Sequence, residues 1–143
     1  RQGGAGSGLT DSRGLHDCYP AAFFTWLFRD LFLYEEEREL HLAAGVPRHW
    51  YATGRPIGAS NAPSYFGAVT YRIAADLKNR SVSVRGSISN TSDLGAIVVH
   101  LNLPEERKIG RITQASPQDI GLRGGMVRVP PSREFSFVVE VSP

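Results

Sequence analysis

The pattern of apolar and polar positions changes once along the chain, at the acidic run of residues 35–37. Between Pro20 and that run, apolar residues recur three and four positions apart, which is helical spacing, and no further Gly or Pro interrupts until Gly45. After the run, apolar and polar residues alternate, and this period of two predicts strands with one buried face. The alternating apolar positions are Leu40 and Leu42; Val69, Tyr71 and Ile73; Val82, Val84 and Ile88; Ile97, Val99, Leu101 and Leu103; and Phe135, Phe137, Val139 and Val141. We therefore predict one helix followed by strands.

The number and spacing of these runs predict the fold class. Weaker strands are expected at residues 111–114 and 126–129, and turn signals such as Gly124-Gly125 separate the runs. Short strands with one apolar face favour an antiparallel arrangement, because a parallel sheet needs intervening helices. We predict a mainly β protein, an antiparallel β-sandwich of about six to eight strands preceded by one N-terminal α-helix. The expected boundaries are 1–18 for a flexible linker or loop, 19–37 for the helix and 38–143 for the sandwich.

The predicted helix is apolar on more than one side. Its main stripe consists of Phe24, Leu27, Phe28 and Leu31. Phe23, Trp26 and Leu33 extend the apolar surface toward a second face, which a helix lying on a small sandwich does not need. Burying a large apolar side chain contributes about 1.5 to 3 kcal/mol, so leaving several of them in water is unfavourable. We therefore predict that the helix packs against a partner in addition to the sandwich.

Length and charge narrow the classes of partner. A chain of 143 residues is the usual size of one domain with its own core. The formal net charge is +2 and the arginines are scattered, so we expect neither nucleic acid nor an anionic membrane as a partner. The single Cys18 cannot form an internal disulfide, and no stretch approaches the roughly 18 to 20 apolar residues of a membrane span. Because the chain begins with Arg1 and shows no signal-peptide pattern, we interpret it as a fragment or a processed chain.

The histidines do not predict a metal site or a hydrolase triad. The closest set, His16-Asp17-Cys18, consists of adjacent residues, which rarely converge on one ion. His41 and His100 fall on the polar sides of their predicted strands, so we expect both to face solvent. No G-x-S-x-G elbow is present to support a nucleophilic serine.

Acidic and glycine-rich segments do not predict catalysis either. Glycoside hydrolysis needs two carboxyl groups roughly 5 to 9.5 Å apart across a sugar. The consecutive glutamates 35–37 splay apart, and Glu105 and Glu106 follow Pro104 in a predicted loop. The early glycines precede no strand-then-helix unit that would bind a nucleotide. We therefore assign no catalytic residue, no metal and no cofactor to this chain.

The densest aromatic segment lies between residues 43 and 71 and is open to two interpretations. It combines Trp50, Tyr51 and Tyr65 with polar residues such as Arg55 and Asn61. Aromatic rings stack on sugar C–H groups and planar polar side chains bind hydroxyls, so these residue types suit a sugar-binding surface. The same residues suit the seam where a connection passes from a helix to a sandwich, and we favour the seam.

Residues 31–73, LFLYEEERELHLAAGVPRHWYATGRPIGASNAPSYFGAVTYRI, carry a resemblance to a known family. They are similar to the junction in bacterial glycoside hydrolase-like proteins with an (α/α)6 catalytic barrel. There, the last barrel helix ends in an acidic turn. A strand like Glu39 to Trp50, a G-x-x-I step like Gly54 to Ile57 and an AP-x-YFG-x-V-x-Y strand like Ala62 to Tyr71 then open a C-terminal β-sandwich. The terminal VRVPPSREFSFVVEV looks like the closing hairpin of such sandwiches.

The resemblance implies a function and a partner. The chain would be a non-catalytic accessory domain that caps and stabilises the barrel of a carbohydrate-active enzyme, and residues 19–37 would be the last barrel helix. The helical catalytic domain, in the same chain or a separate one, would be its partner. Because the loop entering that helix can border the active-site cleft, the resemblance implies that His16, Asp17 and Tyr19 line a substrate site. It also favours a bacterial, periplasmic or secreted protein.

The alternative is a carbohydrate-binding module. In that interpretation Trp50, Tyr51 and Tyr65 form a stacking platform, and an oligosaccharide is the ligand.

Overall fold

The computed structural model describes residues 22–143. Helix α1 occupies residues 22–32 of this range, and a short helix, α2, spans Arg48–Ala52. The ten strands of the described range are β1 Leu33–Glu36, β2 Glu39–Leu42, β3 Ile57–Ser64, β4 Gly67–Asp76, β5 Ser81–Ile88, β6 Ala96–His100, β7 Lys108–Ser116, β8 Gly121–Arg123, β9 Met126–Val129 and β10 Glu134–Ser142.

The strands form two five-stranded sheets. Sheet A has the order β1-β2-β6-β9-β8, and sheet B has the order β3-β4-β5-β10-β7. Neighbouring strands are antiparallel except for β2 and β6, which run parallel. The predictions of a mainly β protein and of a helix near the amino end are therefore confirmed, whereas the predicted number of strands was too small.

The strands missing from the prediction lack regular alternation. β3 contains Gly58 and Pro63, and its pairing with β4 shifts register between Ala59 and Ala62. β8 is only three residues long. A period-two pattern cannot develop in a strand that contains a bulge or that is this short.

The predicted helix ends earlier than expected, because its last residues form β1. Residues 33–36 pair with β2 in a hairpin whose turn places Glu37 at a φ of 54°. Leu33, which we assigned to a second helical face, is 1% exposed and lies opposite the fully buried Leu42. The prediction of helix through residue 37 is wrong, because ladder hydrogen bonds and burial of Leu33 favour the strand over continued helical spacing.

Two segments that resembled single strands are divided in the structure. The strand expected from Glu39 to Trp50 stops at Leu42, and α2 follows it. The strand expected from Ala62 to Tyr71 is the β3–β4 hairpin, which turns at residues 65–66.

The carboxy-terminal segment also differs from its expected form. β9 and β10 belong to different sheets, so residues 127–141 connect the two sheets rather than closing as a hairpin. The link contains Pro130 and Pro131, which lack the backbone N–H that a hairpin ladder would need.

One hydrophobic core contains residues of both sheets. All sixteen alternating apolar positions named above are buried, at no more than 7% exposure. The period of two therefore identified the inner face of each main strand correctly.

Candidate functional site: an exposed aromatic helix

The carboxyl end of α1 is fixed by hydrogen bonds to its last two backbone carbonyls. The carbonyl of Phe32 accepts from the Ala43 N–H at 2.7 Å and from the Tyr71 hydroxyl at 2.6 Å. The carbonyl of Leu31 accepts from the Gly45 N–H at 3.2 Å. A Cβ at Gly45 would lie 3.0 Å from the Leu31 Cα, so this approach requires glycine. The last carbonyls of α1 are thus satisfied by the loop after β2 and by β4.

A partly buried ion pair adds a second attachment. Arg29 Nη2 lies 2.9 Å from Glu35 Oε1, and the Glu35 side chain is only 7% exposed. The same Arg29 nitrogen donates to the Pro63 carbonyl at 2.9 Å, while Glu35 accepts from the Tyr65 N–H at 3.1 Å. These bonds connect α1 and β1 to the β3–β4 turn of sheet B.

Aromatic rings continue this attachment between α1 and α2. The Phe32 ring lies 5.5 Å from the Phe28 ring and 6.0 Å from the Trp50 ring, both in tilted orientations. Phe32 and Trp50 are partly buried against the core. Trp50 therefore contributes to the seam between the helix and the sheets.

The remainder of α1 exposes five large apolar side chains, which we call the aromatic surface. They are Phe23, Phe24, Trp26, Leu27 and Phe28, at 57%, 68%, 56%, 46% and 49% exposure. Phe23 packs on Trp26 at 6.0 Å and Phe24 on Phe28 at 6.2 Å, so these rings contact one another rather than the core. A contiguous apolar patch on a folded protein usually marks an interaction site. The predicted surplus of apolar surface is therefore present at Phe23 and Trp26.

The structure places the predicted sugar-binding residues in different environments. His16, Asp17 and Tyr19 lie outside the described residues. Tyr65 is 83% exposed at the β3–β4 turn, whereas Tyr51 is 1% exposed.

The buried ring of Tyr51 cannot serve as a stacking face. Its hydroxyl donates to the His100 carbonyl at 3.1 Å, and burial raises the pKa of Tyr51 to about 12. Because Trp50 lies in the seam, the structure does not bring Trp50, Tyr51 and Tyr65 together as an open platform.

A pair of histidines is the feature that sequence reasoning missed. His41 Nδ1 lies 2.9 Å from His100 Nε2, and the Tyr34 ring stacks on His41 at 4.6 Å. His41 is 7% exposed, so the prediction that it faces solvent is wrong. The outer face of sheet A is covered here, because Ala96 and Val98 on the same face of β6 are also buried. The uninterrupted apolar run 96–99 was the available signal, since a strand buried on both faces does not alternate.

The electrostatics of this pair do not indicate catalysis. Burial, followed by the charge of His41, lowers the pKa of His100. His41 Nε2 lies 3.3 Å from Glu39 Oε2, which is within ion-pair distance. The geometry does not form a hydrogen bond, so this buried nitrogen has no hydrogen-bond partner. A hydrogen bond from Arg128 lowers the pKa of Glu39. The 2.9 Å distance allows one imidazole to donate a hydrogen bond to the other.

Comparisons of this chain with protein-family models, with curated proteins and with solved structures found no match. Within residues 22–143, no helix is long and apolar enough to cross a membrane. No group of three or more His, Cys, Asp or Glu side chains in this range is placed to hold a metal ion.

Proposed function

We propose that this chain is the non-catalytic C-terminal β-sandwich of a carbohydrate-active enzyme, and that it caps and stabilises an (α/α)6 catalytic barrel. In this proposal α1 is the last helix of the barrel, and sheets A and B are the two layers of the sandwich. The resemblance of residues 31–73 to such junctions supports the family, and the core shared by the two sheets supports the layers.

The aromatic surface is the observation that carries the proposal. Five large apolar side chains within six consecutive positions of one helix, fewer than two turns, are about half exposed or more. Complete burial of each would contribute about 1.5 to 3 kcal/mol, of which part is already gained by their mutual packing. Neighbouring helices are the natural cover, because side chains on facing helices interdigitate along their ridges.

The attachments of α1 explain how such a domain would stabilise a barrel. Both the hydrogen bonds to the Phe32 carbonyl and the Arg29–Glu35 ion pair lie at the carboxyl end of the helix. A helix held at one end by the sandwich and packed along its length by a barrel would couple the unfolding of the two domains. The sandwich would then raise the stability of the barrel without contacting a reacting sugar.

The test uses the polypeptide that the gene encodes upstream of Arg1. It would be produced as a separate tagged chain together with residues 1–143, and the complex would be measured by light scattering and by titration. We expect a one-to-one complex that the double variant Phe24→Ser/Trp26→Ser weakens at least tenfold. Tyr65→Ser is the matched control, because this ring is 83% exposed but lies outside α1.

Two outcomes would contradict the proposal. One is a gene product with no helical repeats upstream of Arg1. The other is a complex that the α1 double variant leaves intact. Saturable binding of an oligosaccharide in calorimetric titration, abolished by Trp50→Ala, would instead support the carbohydrate-binding module.

A further inference from the structure

The outer face of sheet B carries two arginines directly opposite each other. Arg72 of β4 pairs in register with Arg85 of β5, and both side chains are exposed. Like charges directly opposite on a sheet destabilise the pairing, so the fold gains nothing from this arrangement. Within the described residues, neither guanidinium makes a hydrogen bond or an ion pair.

Two acidic side chains on this face are engaged elsewhere. Asp76 bonds Asn79, and Glu140 forms an ion pair with Arg111 at 2.9 Å. A third, Glu134, lines the same depression as Arg72 and Arg85 but forms no ion pair with either, so both guanidiniums remain available to a ligand.

Small side chains leave space around the arginine pair. In the register of the sheet, Gly58 lies opposite Arg72, while Ser136 lies opposite Arg85 and is itself opposite Ser116. Two adjoining depressions of about 460 and 450 Å³ share Arg72, Arg85 and Ser136 in their linings. Together they form an open groove across the middle of the sheet, which we call the arginine groove.

The ends of the arginine groove differ in charge. One end is lined by Thr70, Ser87 and Glu134, and the other by Ser83 and Gln114. Hydroxyl and amide groups match a hydroxyl-rich ligand, and two guanidiniums match a single oxyanion that each can bind with paired N–H donors. Glu134 disfavours a ligand that carries a negative charge at every unit.

Two macromolecular ligands fit the groove poorly. Peptides that extend a sheet use an edge strand, whereas β4 and β5 are interior strands whose backbone groups are already paired. Single-stranded nucleic acid is usually held by stacking on exposed rings, and Tyr65 is the only ring of the described range outside α1 among the large exposed hydrophobic residues. Tyr65 does not line the groove.

We propose that the arginine groove binds a sugar chain that carries one carboxylate beside neutral units. Arg72 and Arg85 bind the carboxylate. Ser87 and Ser136 donate hydrogen bonds to the hydroxyls of the neighbouring units or accept from them, and Glu134 accepts from them. This site lies on sheet B and does not require the proposed docking of α1.

The test is calorimetric titration of residues 1–143 with aldotriouronic acid, in which one glucuronic residue is attached to xylobiose. The neutral comparison is xylotriose, and sodium sulfate tests the oxyanion alone. We expect saturable binding of the acidic sugar, at least tenfold weaker binding of xylotriose and of sulfate, and a decrease in affinity as salt rises.

Variants then locate the site. Arg72→Gln and Arg85→Gln should each weaken binding at least tenfold, whereas Arg111→Gln removes the same charge from edge strand β7 and should change affinity less than twofold. Because both groove variants relieve a like-charge contact, their melting temperatures should equal or exceed that of the parent chain, which separates lost binding from lost folding.

Three results would overturn the proposal. They are no binding of the acidic sugar at millimolar concentration, equal binding of xylotriose or sulfate, and equal weakening by Arg111→Gln.

Discussion

The two sheets, which we call the body, and helix α1 place phenylalanine in opposite environments. Phe135 and Phe137 of β10 are 3% and 2% exposed, whereas Phe23 and Phe24 of α1 are 57% and 68% exposed. In the two sheets, the buried positions of the strands belong to one hydrophobic core that contains residues of both sheets. Only the carboxyl end of α1 packs against this core. The strands therefore supply one another's packing partners, whereas the rest of the helix has none within the described residues.

The boundary between the two regions is narrow. Phe32, the last residue of α1, is partly buried against the core, and Leu33, the first residue of β1, is 1% exposed. Four residues before Phe32, about one helical turn, Phe28 is already 49% exposed. Apolar composition alone therefore does not determine which residues stabilise the fold, because an apolar side chain stabilises it only through the surface that its neighbours cover.

The largest expected effect compares a phenylalanine from each region. Phe137→Ala should lower the free energy of unfolding by about 3 to 5 kcal/mol, because it removes a fully packed ring from the core. Phe24→Ala should change it by less than about 0.5 kcal/mol, since the ring is mostly in water. Urea unfolding of residues 1–143 measures both. A loss of similar size for the two variants would show that α1 is covered in solution and would remove the distinction.

A smaller effect is expected at the ion pair that joins the regions. Arg29→Ala leaves the nearly buried Glu35 carboxylate without its countercharge, and should lower the free energy of unfolding by about 1 to 3 kcal/mol. Faster amide exchange in residues 22–32 should accompany this loss. The control is Arg111→Ala, whose pair with Glu140 is exposed and screened by water, so its loss should change stability much less. Equal losses in the two variants would mean that the Arg29 pair does not anchor α1.

The sequence predicted the body better than it predicted the connections. Alternation identified the buried face of every main strand, because a period of two is imposed by the pleat wherever one face is buried. It missed β3, whose bulge interrupts the alternation, and it extended the helix over β1. The register of β1 depends on pairing with β2 through a turn at Glu37, and a local pattern does not contain that information.

The candidate site was predicted in part. The surplus of apolar surface on α1 followed from counting faces, so Phe23 and Trp26 could be named from the sequence. The burial of Tyr51 could not, since it depends on a contact with the distant His100. The arginine groove was equally inaccessible, because Arg72 and Arg85 are thirteen positions apart and meet only through the register of β4 and β5.

The smallest expected effect concerns His100 of β6, whose side chain is half-buried. Burial lowers its pKa in the folded chain below the ordinary value of about 6.5. The unfolded chain therefore takes up more protons as pH falls from about 6.5 through the folded pKa, so stability contributed by the neutral imidazole is present above 6.5 and is lost across that window.

The groups that face the pair include Tyr34, Glu36 and Glu39, none of which is altered in the test. His100→Gln keeps a donor for His41 and should flatten the acid side of the stability profile below about pH 6.5. His49→Gln, an exposed control in α2, should leave it unchanged, and a profile that His100→Gln does not alter would place His100 with the solvated groups.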